Sequence, residues 1–424
     1  KSMNNIIAIG PRALDFENTN GFFAGSITLY GNGENGNISY CRSCGKRINH
    51  NVFSAEQSEF VATEMKRKIE EDPTVRFMSY DPNQAFDCGE ACVIRTVCLN
   101  DRALMEKLNH KVAFRQWAAP FCKVHHSDLL PGSACTYKLL LERYPGHSEF
   151  IIQADFACGG EGTLFMSAHS AQEIEPSLLP EEHYLVSPYV WDNVPVNLHA
   201  IIYPEDILIF PPSIQIMRLH GNRLLYQGGD FIAVGQVNPR AMEEFRREIL
   251  GICEKLRAEG YLGITGVDGM LVGGEARILE MNNRFQGSTP LLNRALWDQG
   301  LPSMQELNYA AFTQRRAGIS LEGFSVPYSF FTYLAGEDGN CPAGHTQRFE
   351  RDPDVVDIQD DGLSYAQPLA PLASLERITF RTNIVSVTSQ GRVVLHPNIP
   401  DMDPVWIDRI VGQKDRLYLK IALV

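Results

Sequence analysis

At 424 residues the chain is longer than one hydrophobic core organises, which predicts three or four subdomains around a central body. A hydrophobic share of 44% against 21% charged residues excludes long disorder, and a net charge of -13 excludes broad binding to nucleic acid or to an anionic membrane surface. No run approaches the roughly 20 apolar residues that cross a bilayer, and ten cysteines scattered singly fit reduced core thiols, so a cytoplasmic protein is expected. Lys1 and Ser2 ahead of Met3 read as the remnant of an expression tag.

In chain order, residues 1–105 mix short apolar runs (6–9, 27–30, 75–78) with one helix over Ala55–Glu71, which predicts a small α/β unit. Asn100 or Asp101 is placed to cap a helix through Leu104, Leu108 and Val112, with Pro120 marking its end or a break before it, and a further helix covers Tyr137–Arg143. From 149 to 203 the period shortens to strands at 150–153, 163–167, 184–190 and 197–202, two hairpins in all. A long amphipathic helix at 239–259 carries Met242, Phe245, Ile249, Ile252 and Leu256 at spacings of three and four. Strands at 266–272 and 277–283 follow, joined by a turn at 273–276. The last segment, from about 321, is proline-rich and then strand-like at 377–380, 384–388 and 392–395, which reads as an appended β-rich piece.

The strand pair carries the first chemical signal. Side chains alternate along a strand, so Glu280 and Asn282 point to one face and Leu279 and Met281 to the other, while pairing across the turn brings Asp268 onto the first face. Two carboxylates and an amide oxygen suit Mg²⁺ bridging nucleotide phosphates; the ordinary alternative is a half-exposed sheet with its polar face outward. The second signal is Ala157-Cys158-Gly159-Gly160-Glu161-Gly162-Thr163, a turn whose backbone amides could close over phosphate oxygens. It is neither a Walker pattern nor a dinucleotide fingerprint, and a plain hairpin turn would look the same.

The order of these pieces, from Lys111 through the glycine-rich hairpin, a linking strand and the long helix to the acidic strand pair, resembles the ATP-grasp superfamily over residues 100 to 300. The sharpest part is "ILEMNNRFQGSTPLLNRA", which is similar to that family's acidic-x-Asn-x-Arg signature. The resemblance implies an α/β (α+β) ATP-grasp fold: an N-terminal α/β pre-ATP-grasp domain (1–105), a small subdomain with a glycine-rich lid (106–186), a central subdomain with the Mg-ATP site (187–320) and the extra C-terminal β-rich segment (321–424). It implies that Asp268, Glu280 and Asn282 hold Mg²⁺ or Mn²⁺ and that Arg284 acts beside the transferred phosphoryl group. Lys111 would be the first ATP-binding lysine, Gly159, Gly160 and Gly162 the loop over the triphosphate, and 185–190, with Ser187, Tyr189 and Val190, the hinge at the adenine edge. Two positions depart from the pattern. Gln153 stands where a second lysine is usual, so it can hydrogen-bond a phosphate but not neutralise it, and weaker ATP affinity or compensation by another cation follows. Ser187 stands where an acidic residue is usual; Asp192 and Asn197 are the candidates to meet the ribose.

The activity implied is ADP-forming carboxylate–amine ligation, giving an amide or peptide bond through an acyl phosphate, in specialised metabolism. Its partners would be a small-molecule, peptide or carrier-bound carboxylate and an amine, and a homodimer through the first domain is a common arrangement. Rival readings are a phosphotransferase on the same fold and a non-catalytic nucleotide-binding or scaffold protein. Gln215, Arg218 and Arg223 are candidates for a substrate carboxylate, and Ser288 and Thr289 either touch the acyl acceptor or cap a turn. Four thiols, Cys41, Cys44, Cys88 and Cys92, with His50 nearby, could close a structural zinc site, but the second pair's spacing and lack of a flanking motif weigh against it. The neighbours His125 and His126 would face opposite ways on a strand and make a poor joint metal site.

Overall fold

The computed structural model describes residues 5–31, 35–44, 53–84, 86, 88–156, 162–191, 193–220, 222–334 and short strands between 346 and 389. Strands β1 (Ile6–Arg12), β2 (Gly25–Tyr30), β3 (Asn37–Ser39) and β4 (Arg76–Ser79) form a parallel sheet in the order β3-β2-β1-β4. Strand β1 shows no apolar alternation because both its faces are covered. Ile7 and Ile9 pack with Val61, Ala62 and Met65 of helix α2 (Ala55–Glu71), while Ala8 faces Tyr80 and the central body. Ser54 starts α2 with a reciprocal cap: its hydroxyl accepts the Gln57 N–H, and the Gln57 side chain accepts the Ser54 N–H. Helices α1 (Tyr40–Cys44) and α3 (Glu90–Arg95) lie against β2 and β4.

The single helix expected after residue 101 is two, α4 (Arg102–Asn109) and α5 (Lys111–Ala118). Asp101 caps the first at the Leu104 N–H, 2.9 Å. The break falls at His110, which is extended, and the capping group for α5 comes from far along the chain. Asp155 takes the Val112 N–H on its carboxylate at 2.8 Å and the Lys111 N–H on its backbone oxygen at 3.1 Å, and pairs with His110 Nδ1 at 2.9 Å.

Strands β5 (Asp128–Pro131), β6 (Phe150–Ala154), β7 (Thr163–Met166) and β8 (His183–Pro188), with helices α6 (Tyr137–Arg143) and α7 (Ala171–Ile174), form the small subdomain around Leu140, Phe150, Ile152, Met166 and Val186. Its core begins at Leu130. Met105, Leu108, Phe114 and Ala118 of α4 and α5 pack instead into the central core, so the first helices of the 106–186 segment belong to the central body.

The central sheet contains β9 (Asn193–Ile202), β10 (Ile207–Ile209), β11 (Ser213–His220), β12 (Arg223–Asp230), β13 (Gly263–Val272) and β14 (Glu275–Asn282), ordered β14-β13-β9-β11-β12 with β10 on β9. Helix α8 (Pro239–Ala258), capped by Asn238, buries Phe245, Ile249, Ile252 and Leu256 on one face of this sheet. Helices α9 (Thr289–Asp298) and α10 (Met304–Thr313) build a second core with Phe210, Phe285 and Phe330.

The C-terminal piece is continuous with this body. Strand β15 (Ser329–Leu334) pairs with β12, and β17 (Val355–Asp360), β18 (Leu363–Ser364) and β20 (Ile384–Ser389) extend the same sheet, while β16 (Thr346–Gln347) pairs with β19 (Ile378–Thr379). The strand expected at 392–395 lies outside the described residues. Among the described residues no helix is long and apolar enough to cross a membrane.

Candidate active site

Three neighbouring strands put Asn197, Asp268 and Glu280 in one row, since Asp268 pairs with Asn197 on β9 and with Glu280 on β14. The alternation read from the sequence fails at one residue. A bulge follows Asp268, so that Gly269 pairs with Ile278 and Leu279 is the extra residue, facing the cleft beside Glu280 instead of the opposite side. Glycine leaves the space that neighbouring groups occupy on both sides of Asp268. A Cβ at Gly269 would lie 2.6 Å from the Phe245 ring of α8, and one at Gly266 would run into the Gln286 side chain.

A cleft of about 510 Å³ opens over this row. It brings together Lys111, Gln153, Ser187, Tyr189, Val190, Asn197, Asp268, Glu280, Asn282 and Arg284, residues drawn from α5, the small subdomain and the central sheet. At one end Lys111 Nζ stands 3.2 Å from Glu280 Oε2. Asn282 bridges the next groups: its amide nitrogen donates to Asp268 Oδ2 at 3.0 Å, and its oxygen accepts from Arg284 Nη2 at 3.2 Å. Turning that amide over would present its oxygen beside the two carboxylates.

Burial and the neighbouring Glu280 charge hold the Asp268 carboxyl above its usual range, against the hydrogen bonds of Asn197, Asn282 and Gln215. Two carboxylates held side by side repel, and a divalent cation between them would relieve that repulsion. The donor set, two carboxylates and an amide oxygen, fits Mg²⁺ or Mn²⁺.

The other end of the cleft is the segment after β8. Tyr189 donates its N–H to Glu149 O at 2.9 Å, the Val190 carbonyl takes the Asn193 amide, and Phe165, Tyr189 and Trp191 meet edge to face. His125, set aside from the sequence as a metal ligand, lines this end with Nε2 3.1 Å from Ser187 Oγ. Burial, then the Arg115 and Arg277 charges, take its pKa down to about 3, so it is a neutral hydrogen-bonding group. His126, in the segment before β5, is exposed with Nε2 3.6 Å from Asp128 Oδ1.

Other expectations separate. Asn197 is buried against Asp268 and Gln286, four residues and about 13 Å along β9 from Asn193, so it supports the acidic row. Gly162 closes the β6–β7 hairpin by accepting the Ala154 N–H at 2.9 Å, while Gly159, Gly160 and Asp192 lie outside the described residues. Gln215 and Ser288 line the cleft. Arg223 is exposed beside Leu164, and the Arg218 side chain is outside the described set. Thr289 is a capping group, taking the Gln286 N–H on Oγ1 at 2.9 Å. Cys88 and Cys92 are buried with Met65 in the N-terminal core, where burial pushes the Cys88 thiol up to about 12. Cys44 is exposed on α1, and His50 is outside the described residues.

Sequence reasoning missed Arg115, Tyr226, Gln286 and Leu279. Arg115 had a signal: it lies four residues after Lys111, on the same face of α5. Leu279 enters only through the bulge, and Tyr226 and Gln286 carry no local mark.

The profile of the ATP-grasp domain matches residues 127–288, the stretch holding the small subdomain, the acidic row and Arg284. No curated protein matches the chain closely enough to count as a relative. Among solved structures it is similar to biotin carboxylase from Campylobacter jejuni, at 12% identity over 99% of this chain and 95% of that one with a TM-score of 0.61. It is similar also to L-amino acid ligase from Bacillus licheniformis (11%, 92% and 94%, TM-score 0.52) and to phosphoribosylamine–glycine ligase from Thermotoga maritima (12%, 91% and 92%, TM-score 0.54). Residues 127–288 thus match the ATP-grasp domain, and the fold of the chain is that of these solved structures over most of its length.

Proposed function

We propose that the protein is an ATP-dependent, ADP-forming carboxylate–amine ligase. The observation that carries this reading is the convergence in one cleft of the Asp268–Glu280–Asn282 row, Lys111 and Arg284, with the hinge segment at the opposite end. An amino acid ligase and a phosphoribosylamine–glycine ligase stand among the similar folds, which supports the same class.

A carboxylate is a poor electrophile at neutral pH. In the proposed reaction its oxygen attacks the γ-phosphorus of ATP, the bond to the β-phosphate oxygen breaks, and ADP leaves. The amine nitrogen then attacks the acyl carbon of the resulting acyl phosphate, the acyl C–O bond breaks, and phosphate leaves as the nitrogen sheds a proton. Asp268, Glu280 and the turned amide of Asn282 would hold Mg²⁺ or Mn²⁺, which supplies positive charge to the phosphate oxygens. Lys111 neutralises charge from the α5 side, and Arg284, held by Asn282 and by the Phe285 carbonyl at 3.0 Å, faces the reacting end. No side-chain nucleophile is required, so the work is positioning and charge neutralisation.

Within this class we favour amide or peptide bond formation between a small acid and an amine, in specialised metabolism. The test is ATP-dependent phosphate release across a panel of amino acids, small acids and carrier-bound acids, with hydroxylamine as a trap. Hydroxamate formation requiring both ATP and the acid supports activation of a carboxylate. Phosphate transfer to a hydroxyl without hydroxamate would make the protein a phosphotransferase, and nucleotide binding without turnover over the whole panel would make it a binding protein.

A further inference from the structure

We propose that Arg115 is a positioning residue that supplies, from behind Gln153, the positive charge a lysine would otherwise bring to the triphosphate. The inference rests on the nucleotide reading of the cleft and adds a residue to it.

Arg115 is 6% exposed, and all three of its hydrogen bonds go to uncharged partners. Nε donates to Leu279 O at 2.8 Å, Nη1 to Ser127 Oγ at 2.6 Å and Nη2 to Gln153 Oε1 at 3.0 Å. No carboxylate among the described residues makes an ion pair with it; Glu280, near enough to act on it through space, is itself paired with Lys111. Burial takes its pKa down to about 10, which still leaves the guanidinium charged at neutral pH. A buried cation without a contacting counter-charge is costly, so such a group persists where a ligand brings the missing charge.

Gln153 lines the cleft and connects the two. Its oxygen is taken by Arg115, so its amide nitrogen is turned the other way, towards Thr163 Oγ1 at 3.2 Å, and it offers only N–H donors to an anion on that side. The Leu279 carbonyl that fixes Arg115 is the one left over by the bulge next to Asp268. One irregularity in the sheet therefore sets both the acidic row and the cation behind Gln153.

The experiment is calorimetric titration of the full chain with a non-hydrolysable ATP analogue in Mg²⁺, and with adenosine, which has no phosphates. Arg115→Met is expected to weaken the analogue roughly 10- to 100-fold, the loss of one charge-assisted hydrogen bond, and to leave adenosine within about threefold of wild type. Arg115→Lys keeps the charge and should recover part of the loss. Gln153→Lys alone places an ammonium against the buried guanidinium and should weaken binding, whereas Gln153→Lys with Arg115→Met should return the analogue to near wild-type affinity. Equal losses for the analogue and adenosine would show a merely structural role and overturn the proposal. So would Gln153→Lys tightening the analogue as much with Arg115 present as without it. If Arg115→Met fails to fold, Arg115→Gln, which keeps hydrogen-bonding groups and removes the charge, takes its place in both comparisons. Wild-type protein that binds the analogue no better than Arg115→Met does would overturn the inference alone, and wild-type protein that does not bind the analogue would overturn the nucleotide reading on which it stands.

Discussion

Asp268 is where charge, burial and ligand chemistry meet. Its carboxyl titrates above the ordinary value in the folded protein, so the fold binds a proton more tightly than the unfolded chain does. The metal-free protein therefore loses stability as pH rises from the unfolded value near 4 through the raised folded one, and a cation at the row restores it. We expect Mg²⁺ or Mn²⁺ to raise the melting temperature more at pH 8 than at pH 6, measured by scanning calorimetry in matched ionic strength. Asp268→Asn removes the repulsion with Glu280; it should stabilise the metal-free protein and abolish the metal-dependent shift. A metal effect independent of pH, or retained in Asp268→Asn, would contradict the assignment. Glu280→Gln should lower kcat roughly 100- to 1,000-fold in whatever ligation assay proves active, with the fold intact by circular dichroism. These residues were legible from the sequence because they sit within fifteen positions of one another on two paired strands. The role of Asn197 was not, since only the register of β9 against β13 sets it beside Asp268.

At the scale of elements, local pattern and distant contact compete. The helices α2, α6 and α8 follow from their own caps and apolar spacing, and each appears where that spacing placed it. The break between α4 and α5 does not, because the periodicity of 102–118 is continuous and the group that ends it, Asp155, is forty-three residues beyond Val112. That cap puts Lys111 in the first turn of α5 and fastens it to the base of the β6–β7 hairpin. Asp155→Ala should cost about 1 kcal/mol by urea denaturation and weaken the ATP analogue through displacement of Lys111; unchanged affinity would show that α5 is held by packing alone. The bulge is similarly invisible to alternation, and its marker is Gly269, which leaves room for Phe245. Gly269→Ala should destabilise by about 1–3 kcal/mol by the same measurement.

Across the whole molecule, the small subdomain and the central body line the cleft, and the N-terminal unit docks beside it at the end of β14. Asn283, fully buried, donates to the Met105 carbonyl of α4 at 3.1 Å and accepts from Asn83 of the N-terminal unit at 3.0 Å, while Phe285 donates its N–H to Tyr80 O at 3.1 Å. The N-terminal sheet is thereby docked on the segment that carries Arg284, a contact that no reading of separate segments could supply. The packing of α4 and α5 into the central core and the continuity of β15 with β12 depend on which faces and strand edges meet, which sequence order does not show. The central claim is that Asp268, Glu280 and Asn282 grip a divalent cation bound to a triphosphate. Its most direct test is anomalous diffraction from crystals grown with Mn²⁺ and a non-hydrolysable ATP analogue. A manganese peak is expected within bonding distance of Asp268 and Glu280 and of the analogue's phosphate oxygens; a peak elsewhere, or nucleotide bound with those side chains unengaged, would rule the site out.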